Sequence, residues 1–154
     1  MIRLARILVP TDFSEHSKKA LRYAVALAQV HGSEIELLHV LELPLYPVSF
    51  GVGPATIPPI SEELRQAATN HLELMRKAEI PAGVGSRAAI REGRPFFEVC
   101  VAAREDSADL IVIATHGYSG VKHVLLGSTA EKVVRKAPCP VLTVRPDERE
   151  FVLP

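Results

Sequence analysis

The feature that most constrains this chain is a regular alternation of short apolar segments with longer segments of helical periodicity. Five short segments rich in Ile, Leu, Val and Ala are predicted to be strands, at residues 7–9, 35–41, 84–90, 110–114 and 141–144. Each gap between them contains one predicted helix. Strands that alternate strictly with helices and are strongly apolar are typical of a parallel sheet with helices on both faces. The sequence therefore predicts a three-layer α/β fold.

The predicted helices have recognisable ends. Asp12 or Ser14 can cap the first helix, and Gly32 stands where that helix should stop. The last helix has Ser128 followed three residues later by Glu131, which is the spacing of a capping box.

The length of 154 residues fits one domain, predicted at residues 1–146, with a short tail at 147–154. Residues 43–60 contain five prolines and two glycines and are predicted to form a long loop of unassigned role. Two cysteines, Cys100 and Cys139, are too few for a disulfide scaffold, and we expect buried, reduced thiols.

The charge balance and the hydropathy pattern exclude several classes of partner. Lys and Arg total 18, as do Asp and Glu, so the basic excess expected of a nucleic-acid-binding protein is absent. The apolar runs are a few residues long, far below the roughly 18 that suggest a membrane span. We therefore expect a cytoplasmic protein that binds neither nucleic acid nor membrane.

Two strand ends carry unusual chemistry. The first strand leads into Pro10, Thr11 and Asp12, and the fourth leads into residues 114–117 and then residues 127–129. Ligands of open parallel sheets bind at the carboxyl ends of strands, where the strand order reverses. If the first and fourth strands are neighbours, both sets of residues face one crevice.

Each of these sets has a functional and a purely structural interpretation. Gly127, Ser128 and Thr129 begin a helix, whose unpaired N–H groups can bind phosphate with help from the hydroxyls; alternatively, Ser128 only caps the helix. Asp12 can accept hydrogen bonds from a ribose or a base amino group, or it can be an N-cap. The nearby His116, His123 and Lys122 can contact phosphate or be solvated loop residues, whereas His39 is predicted to be a hydrogen-bonded core residue.

Sharper catalytic motifs are absent from the sequence. It has no Gly-Lys-[Ser/Thr] phosphate loop, no complete nucleophile elbow and no His-Glu-x-x-His zinc motif. The sequence therefore does not predict a dedicated enzyme.

Three segments together resemble the universal stress protein family. Residues 7–14 read ILVPTDFS, and residues 137–144 read APCPVLTV. Between them, Ala114, Gly117, Gly127 and Ser128 are similar to the family's nucleotide signature, Gly-x2-Gly-x9-Gly-[Ser/Thr], with alanine at the first glycine. The likeness covers residues 3–146.

The resemblance implies a five-stranded sheet in the order 3-2-1-4-5 with a crevice between the first and fourth strands. It implies ATP as ligand, with Mg²⁺ or Mn²⁺ held by the phosphates, and AMP or cyclic AMP as alternatives. It also implies a homodimer that pairs the strand at residues 141–144. By this resemblance, Pro10, Thr11 and Asp12 would line the adenosine pocket, and Val40 would lie next to the adenine. Ile113 and Ala114 would border the sugar. The phosphates would be bound by Gly117, Gly127, Ser128 and Thr129.

Three functions remain open from the sequence. The first is a regulatory protein that senses or buffers adenine nucleotides under stress, with slow ATP hydrolysis at most. The second is a nucleotide-free dimeric interaction module, which the extra methyl group of Ala114 favours. The third is a true hydrolase or transferase acting on a nucleotide.

Overall fold

The computed structural model describes residues 3–42, 59–117 and 126–149. Its elements in chain order are β1 (Arg6–Pro10), α1 (Glu15–His31), β2 (Glu34–Glu42), α2 (Glu62–Glu79), β3 (Ser86–Gly93), α3 (Pro95–Glu105), β4 (Leu110–Ala114), α4 (Ser128–Lys136) and β5 (Val141–Val144). The predicted alternation of strands and helices is confirmed. Strand β3 starts two residues later and ends three residues later than the predicted strand at residues 84–90. Most of the predicted long loop, residues 43–58, lies outside the described residues.

The strands form one parallel sheet in the order β3-β2-β1-β4-β5, which confirms the predicted order. Strand β1 therefore lies between β2 and β4, and the chain crosses from β3 at one edge to β4 on the other side of β1. The carboxyl ends of β1 and β4 thus flank the point where the strand order reverses, which is where such sheets form a ligand crevice.

Alternate strand residues pack into two separate cores, one on each face of the sheet. The α1 face, named here for its main helix, buries Ile7 and Leu37 against α1 and α2. The α3 face buries Leu8, Leu38 and Ile111 against α3 and α4. The period of two along each strand thus decides which helix layer every strand side chain meets.

The helix ends decide between the two caps left open for α1, agree with the predicted stop at Gly32 and correct the prediction for Ser128. Ser14 caps α1 by accepting a hydrogen bond from the N–H of Ser17 at 3.2 Å, so Asp12 is not the cap. Gly32 ends α1 in the left-handed conformation, as predicted, with φ of 67°. The capping-box prediction for Ser128 is wrong, because α4 already begins at Ser128 and the extended residue before it is Gly127, which has no capping side chain.

The segment after β5 returns to the surface of α1. The ammonium of Lys19 donates to the carbonyl of Pro146 at 2.8 Å and to that of Glu148, and the Tyr23 hydroxyl donates to the carbonyl of Arg149. The predicted tail is therefore docked on α1 as far as the structure describes it.

The two cysteines are free and half-buried, rather than buried as expected. Partial burial raises the pKa of both thiols, which favours their protonated form. No helix within the three described ranges combines the length and the apolar character needed to cross a membrane.

Candidate functional site

A cavity of about 550 Å³ opens at the carboxyl end of the sheet, beside the start of α4. Its volume lies within the range of small-molecule sites, roughly 300–1,000 Å³. It is lined by all ten residues singled out in the sequence: Pro10, Thr11, Asp12, Val40, Ile113, Ala114, Gly117, Gly127, Ser128 and Thr129. The fold thus brings these residues, from four segments of the chain, to one place. Their individual binding roles stay predictions.

The cavity has ten further lining residues, of which His116 alone was considered a possible phosphate contact from the sequence; the others include the start of α3 and the end of β2. The ten are Ser17, Leu38, His39, Leu41, Glu42, Pro95, Val99, Thr115, His116 and Ala130. Only the placement of β2 and α3 beside the crevice identifies most of them. The apolar pattern of those elements predicts burial equally well.

Thr11 is fixed from several directions and has a structural role in the site. Its N–H donates to the carbonyl of Leu38 at 2.8 Å, and its hydroxyl lies 2.8 Å from that of Ser17. Its carbonyl lies 2.8 Å from Nδ1 of His39. These bonds tie the end of β1 to both β2 and α1.

His39 is a hydrogen-bonded histidine, as predicted, but it also lines the cavity. Because a carbonyl can only accept, the Nδ1 that faces Thr11 carries the proton. Burial lowers the pKa of His39 from its ordinary value. The neutral imidazole with Nδ1–H is therefore the favoured form.

The Asp12 carboxylate lies between the ends of β1 and β4. Its Oδ1 accepts from the N–H of Ser14 at 3.0 Å. Its Oδ2 faces Gly117, where a Cβ atom would stand only 2.5 Å from that oxygen. A side chain at position 117 would therefore require the Asp12 carboxylate to shift, a relation that the spacing of the glycines did not reveal.

Phe13 adopts a backbone conformation that is rare for a bulky residue. Its φ is 66°, in the left-handed region, which costs about 1–2 kcal/mol for an L-residue with a side chain. Its ring stacks on His71 at 4.1 Å and lies tilted against His39 at 4.3 Å between ring centroids. Sequence reasoning missed this residue, because nothing in its immediate neighbours signals a positive φ.

The N-terminus of α4 faces the cavity without a side-chain cap from the described residues. The N–H of Gly127 donates to the carbonyl of Thr115 at 2.7 Å, and a Cβ atom at Gly127 would stand 2.9 Å from that same oxygen. The glycine therefore allows α4 to start close to the end of β4. The first turn of α4 offers backbone donors and the positive end of the helix dipole, which together favour an anion.

His116 lies beside this helix start. Its Nδ1 is 2.9 Å from the hydroxyl of Thr115, and its ring meets that of His16 edge to face at 6.4 Å. His116 lines the cavity. The other two loop residues considered with it, Lys122 and His123, lie outside the described residues.

The remaining wall of the cavity is apolar and belongs to the α3 face. Val40, Val99 and Ile113 pack in the α3-face core and also line the cavity. The neighbouring Ala114 packs against the α1-face core instead. The methyl group of Ala114 is thus directed to the face opposite the apolar wall.

The fold and this crevice define a doubly wound α/β protein with a small-molecule site at the switch point of its sheet. The chain belongs to the universal stress protein family, whose sequence model matches residues 4–145. This match confirms the resemblance seen in the sequence.

Individual relatives are similar over nearly the whole chain. Universal stress protein MJ0531 of Methanocaldococcus jannaschii is 32% identical, over 94% of this chain and 84% of its own length. The structure of protein MJ0577 from the same organism superposes with a TM-score of 0.76 at 27% identity, covering 96% of this chain and 100% of that one.

Two more distant structures contain nucleotides. A universal stress protein from Archaeoglobus fulgidus in complex with dAMP has a TM-score of 0.63 at 22% identity, covering 93% of this chain and 98% of its own. A universal stress protein in complex with cAMP has a TM-score of 0.66 at 20% identity, with the same coverage of 93% and 98%. These two likenesses show a shared fold.

Proposed function

We propose that this protein binds an adenine nucleotide, with ATP as the first candidate, in the cavity between the carboxyl ends of β1 and β4, and that it serves the stress response through binding rather than catalysis. The observation that carries the proposal is the composition of that single cavity. It combines an apolar wall, a carboxylate and the uncapped start of a helix within about 550 Å³.

The start of α4 supports the phosphate part of the proposal. Gly127 leaves the first turn of the helix open to close approach, and Ser128 and Thr129 add hydroxyl donors beside the backbone N–H groups. Gly117 bounds the same space from the end of β4. A divalent ion would be held by the phosphates, since the described residues include no group of three or more His, Cys, Asp or Glu that suits a metal.

The ends of β1 and β2 support the adenosine part. The carboxylate of Asp12 would accept hydrogen bonds from ribose hydroxyls or the base amino group, and Val40 with Ile113 supplies apolar surface for the base and sugar. Ala114 lines the same cavity and packs against the α1-face core, on the opposite face from Val40 and Ile113.

The nucleotide-bound relatives support the choice of ligand class. Family members bind dAMP in one structure and cAMP in another. AMP and cyclic AMP are therefore the ligands to compare with ATP.

The test is a titration of purified protein with ATP, AMP, cyclic AMP and GTP by calorimetry, after mass spectrometry of any small molecule released on denaturation. We expect an adenine nucleotide to be released or bound, and GTP to bind more weakly. A protein that releases no nucleotide and gives no binding heat with any of the four contradicts the proposal. In that case the nucleotide-free interaction module becomes the better interpretation.

We also propose a homodimer that pairs β5 of two copies. Strand β5 is an edge of the sheet. The carbonyl of Pro140 accepts from Ile111 of β4, and that of Val144 accepts from Thr115, directly after β4. Alternate residues of a strand direct their backbone groups to opposite sides, so Val141 and Thr143 face outward with unused pairing capacity.

Thr143→Pro removes one outward N–H of β5 and leaves the donors to β4 in place. Because this N–H would pair with the second copy, we expect the variant to be monomeric in sedimentation at micromolar concentration. Thr143→Val keeps the N–H and should leave the dimer intact. A monomeric wild type, or a dimeric Thr143→Pro variant, contradicts this interface.

A further inference from the structure

We propose that Phe13 is a positioning residue for the ligand: the aromatic clamp of His39 and His71 holds Phe13 in its left-handed conformation, and that conformation sets the direction of the Asp12 carboxylate. The inference rests on the proposed nucleotide function of Asp12. It assigns a role in binding to α2, the element that carries His71.

The conformation of Phe13 requires an explanation from its surroundings. Among the described residues, only Phe13 and Ser107 combine a side chain with positive φ. A strained residue persists where neighbouring contacts determine it, and such residues cluster at functional sites. Here the contacts are with two histidine rings. The ring of His71 lies nearly parallel to that of Phe13, with an angle of 8° between the planes, and the ring of His39 is tilted by 36° against that of Phe13.

Hydrogen bonds on both sides of Phe13 transmit its conformation to Asp12. The N–H of Phe13 donates to Oγ1 of Thr11 at 3.0 Å, which anchors the turn to the fixed end of β1. The next N–H, that of Ser14, donates to Oδ1 of Asp12 at 3.0 Å. Rotation of the backbone at Phe13 would move the Ser14 donor, and with it the carboxylate whose Oδ2 faces Gly117.

The role of His71 is indirect. None of the described residues of α2 lines the cavity, and His71 is linked to it through the Phe13 ring, which also contacts the lining residue His39. His71 is exposed on its other side. Its removal therefore tests the clamp without deleting a ligand contact or opening a hole in the core.

The decisive experiment compares ATP affinity for Phe13→Ala in the wild-type and Asp12→Asn backgrounds, with thermal unfolding measured in parallel. If Phe13 acts through Asp12, Phe13→Ala lowers affinity about tenfold in the wild-type background and less than twofold in Asp12→Asn, because the two effects are then not additive. Phe13→Tyr, which keeps the aromatic clamp, should restore affinity to within about twofold of wild type. An equal loss in both backgrounds, or no loss in either, overturns the proposal.

His71→Ala covers the case in which Phe13→Ala does not fold. It should weaken ATP binding several-fold in the wild-type background, whereas His71→Phe, which preserves the stack, should not. Unchanged affinity in His71→Ala overturns the clamp.

A measurement without ligand separates this proposal from the proposed function. The titration of the Asp12 carboxyl group, followed by carbon NMR in ligand-free protein, should shift in Phe13→Ala and stay near wild type in Phe13→Tyr. If wild type binds no nucleotide and the Asp12 titration still shifts, the nucleotide function fails while the positioning stands. An unshifted titration in Phe13→Ala overturns the positioning.

Discussion

The two ends of the sheet differ in the space that lies beside their polar groups. At the amino end, the guanidinium of Arg87 lies 2.6 Å from Glu36 and 2.7 Å from Asp106, and the space enclosed beside them is about 10 Å³. At the carboxyl end, Asp12 and the uncapped start of α4 border a cavity of about 550 Å³.

The difference separates stability from binding within one small domain. Charges that pair with each other across β2, β3 and the end of α3 complete their own interactions and contribute to folding. Polar groups that border a cavity of this size can also contact a ligand. Substitutions at the amino end should therefore change stability alone, and substitutions at the carboxyl end should change mainly affinity.

The largest expected effect is that of Asp12→Asn on nucleotide affinity. Asparagine can keep the bond from the Ser14 N–H, but it presents an NH₂ group or a neutral oxygen where the ligand needs a carboxylate. We expect affinity to fall about ten- to hundredfold, or roughly 1.5–3 kcal/mol, with little change in the unfolding temperature. Calorimetric titration and ligand-free thermal unfolding measure the two quantities separately.

The control for Asp12→Asn is the thermal unfolding curve itself. Ser14, not Asp12, caps α1, so the helix does not depend on the carboxylate. Lost stability with intact affinity would show that Asp12 belongs with the scaffold.

The second prediction concerns Gly127, compared with a glycine at the amino end. Gly127→Ala places a Cβ atom 2.9 Å from the carbonyl oxygen of Thr115, so α4 must shift away from β4. We expect about a tenfold loss of ATP affinity, near 1.4 kcal/mol. Gly83→Ala is the matched control, because a Cβ atom there meets nothing within 4 Å. Equal affinities in the two variants would remove the start of α4 from the proposed phosphate site.

The sequence was sufficient for most of the fold and for half of the residues that border the cavity. Apolar alternation predicted the five strands, and the three family-like segments implied their order. Parallel strands bring their carboxyl ends to one edge, so residues such as Asp12 and Gly117, far apart in the chain, were expected to meet there.

What could not be predicted depends on contacts between distant residues. The positive φ of Phe13 occurs where its ring contacts rings from β2 and α2, and the tight space at position 117 is set by the Asp12 side chain. The capping box failed for a related reason. Its residue types were right, but with Gly127 close to Thr115 the helix starts one residue too early for Ser128 to cap it.

The third prediction tests the amino end. Arg87→Met leaves the largely buried Glu36 carboxylate without its cation, so we expect a loss of about 1–2 kcal/mol in the free energy of unfolding. ATP affinity should be unchanged. The exposed pair of Arg135 and Glu131 supplies the control, and Arg135→Met should cost no more than about 0.5 kcal/mol. Denaturant unfolding and ATP titration of both variants measure the two quantities. Weaker nucleotide binding in Arg87→Met would contradict the expectation that the amino end of the sheet affects stability alone.

The smallest expected effects are two pH dependences of opposite sign. Burial lowers the pKa of His39 at the carboxyl end and raises the pKa of Glu36 at the amino end. As the pH falls through the ordinary histidine value, near 6.5, unfolded chains take up more protons at His39 than folded ones, so stability is lost toward acid. As the pH rises through the ordinary glutamate value, near 4.3, folded chains retain more protons at Glu36, so stability is lost toward neutral pH.

His39→Asn and Glu36→Gln isolate these two contributions, since each substitution removes one titrating group and keeps a polar side chain. The measurement is the free energy of unfolding of each variant relative to wild type, at intervals from about pH 4 to about pH 8, a range that spans both ordinary pKa values. Relative to wild type, His39→Asn should gain stability as the pH falls below about 6.5, and Glu36→Gln should gain stability as the pH rises above about 4.3. Fixed losses of packing or hydrogen bonding shift a whole curve and do not change its slope. If the stability curve of either variant runs parallel to that of wild type, burial at that end of the sheet does not shift the pKa of the substituted group. The contrast between the two ends would then rest on geometry alone.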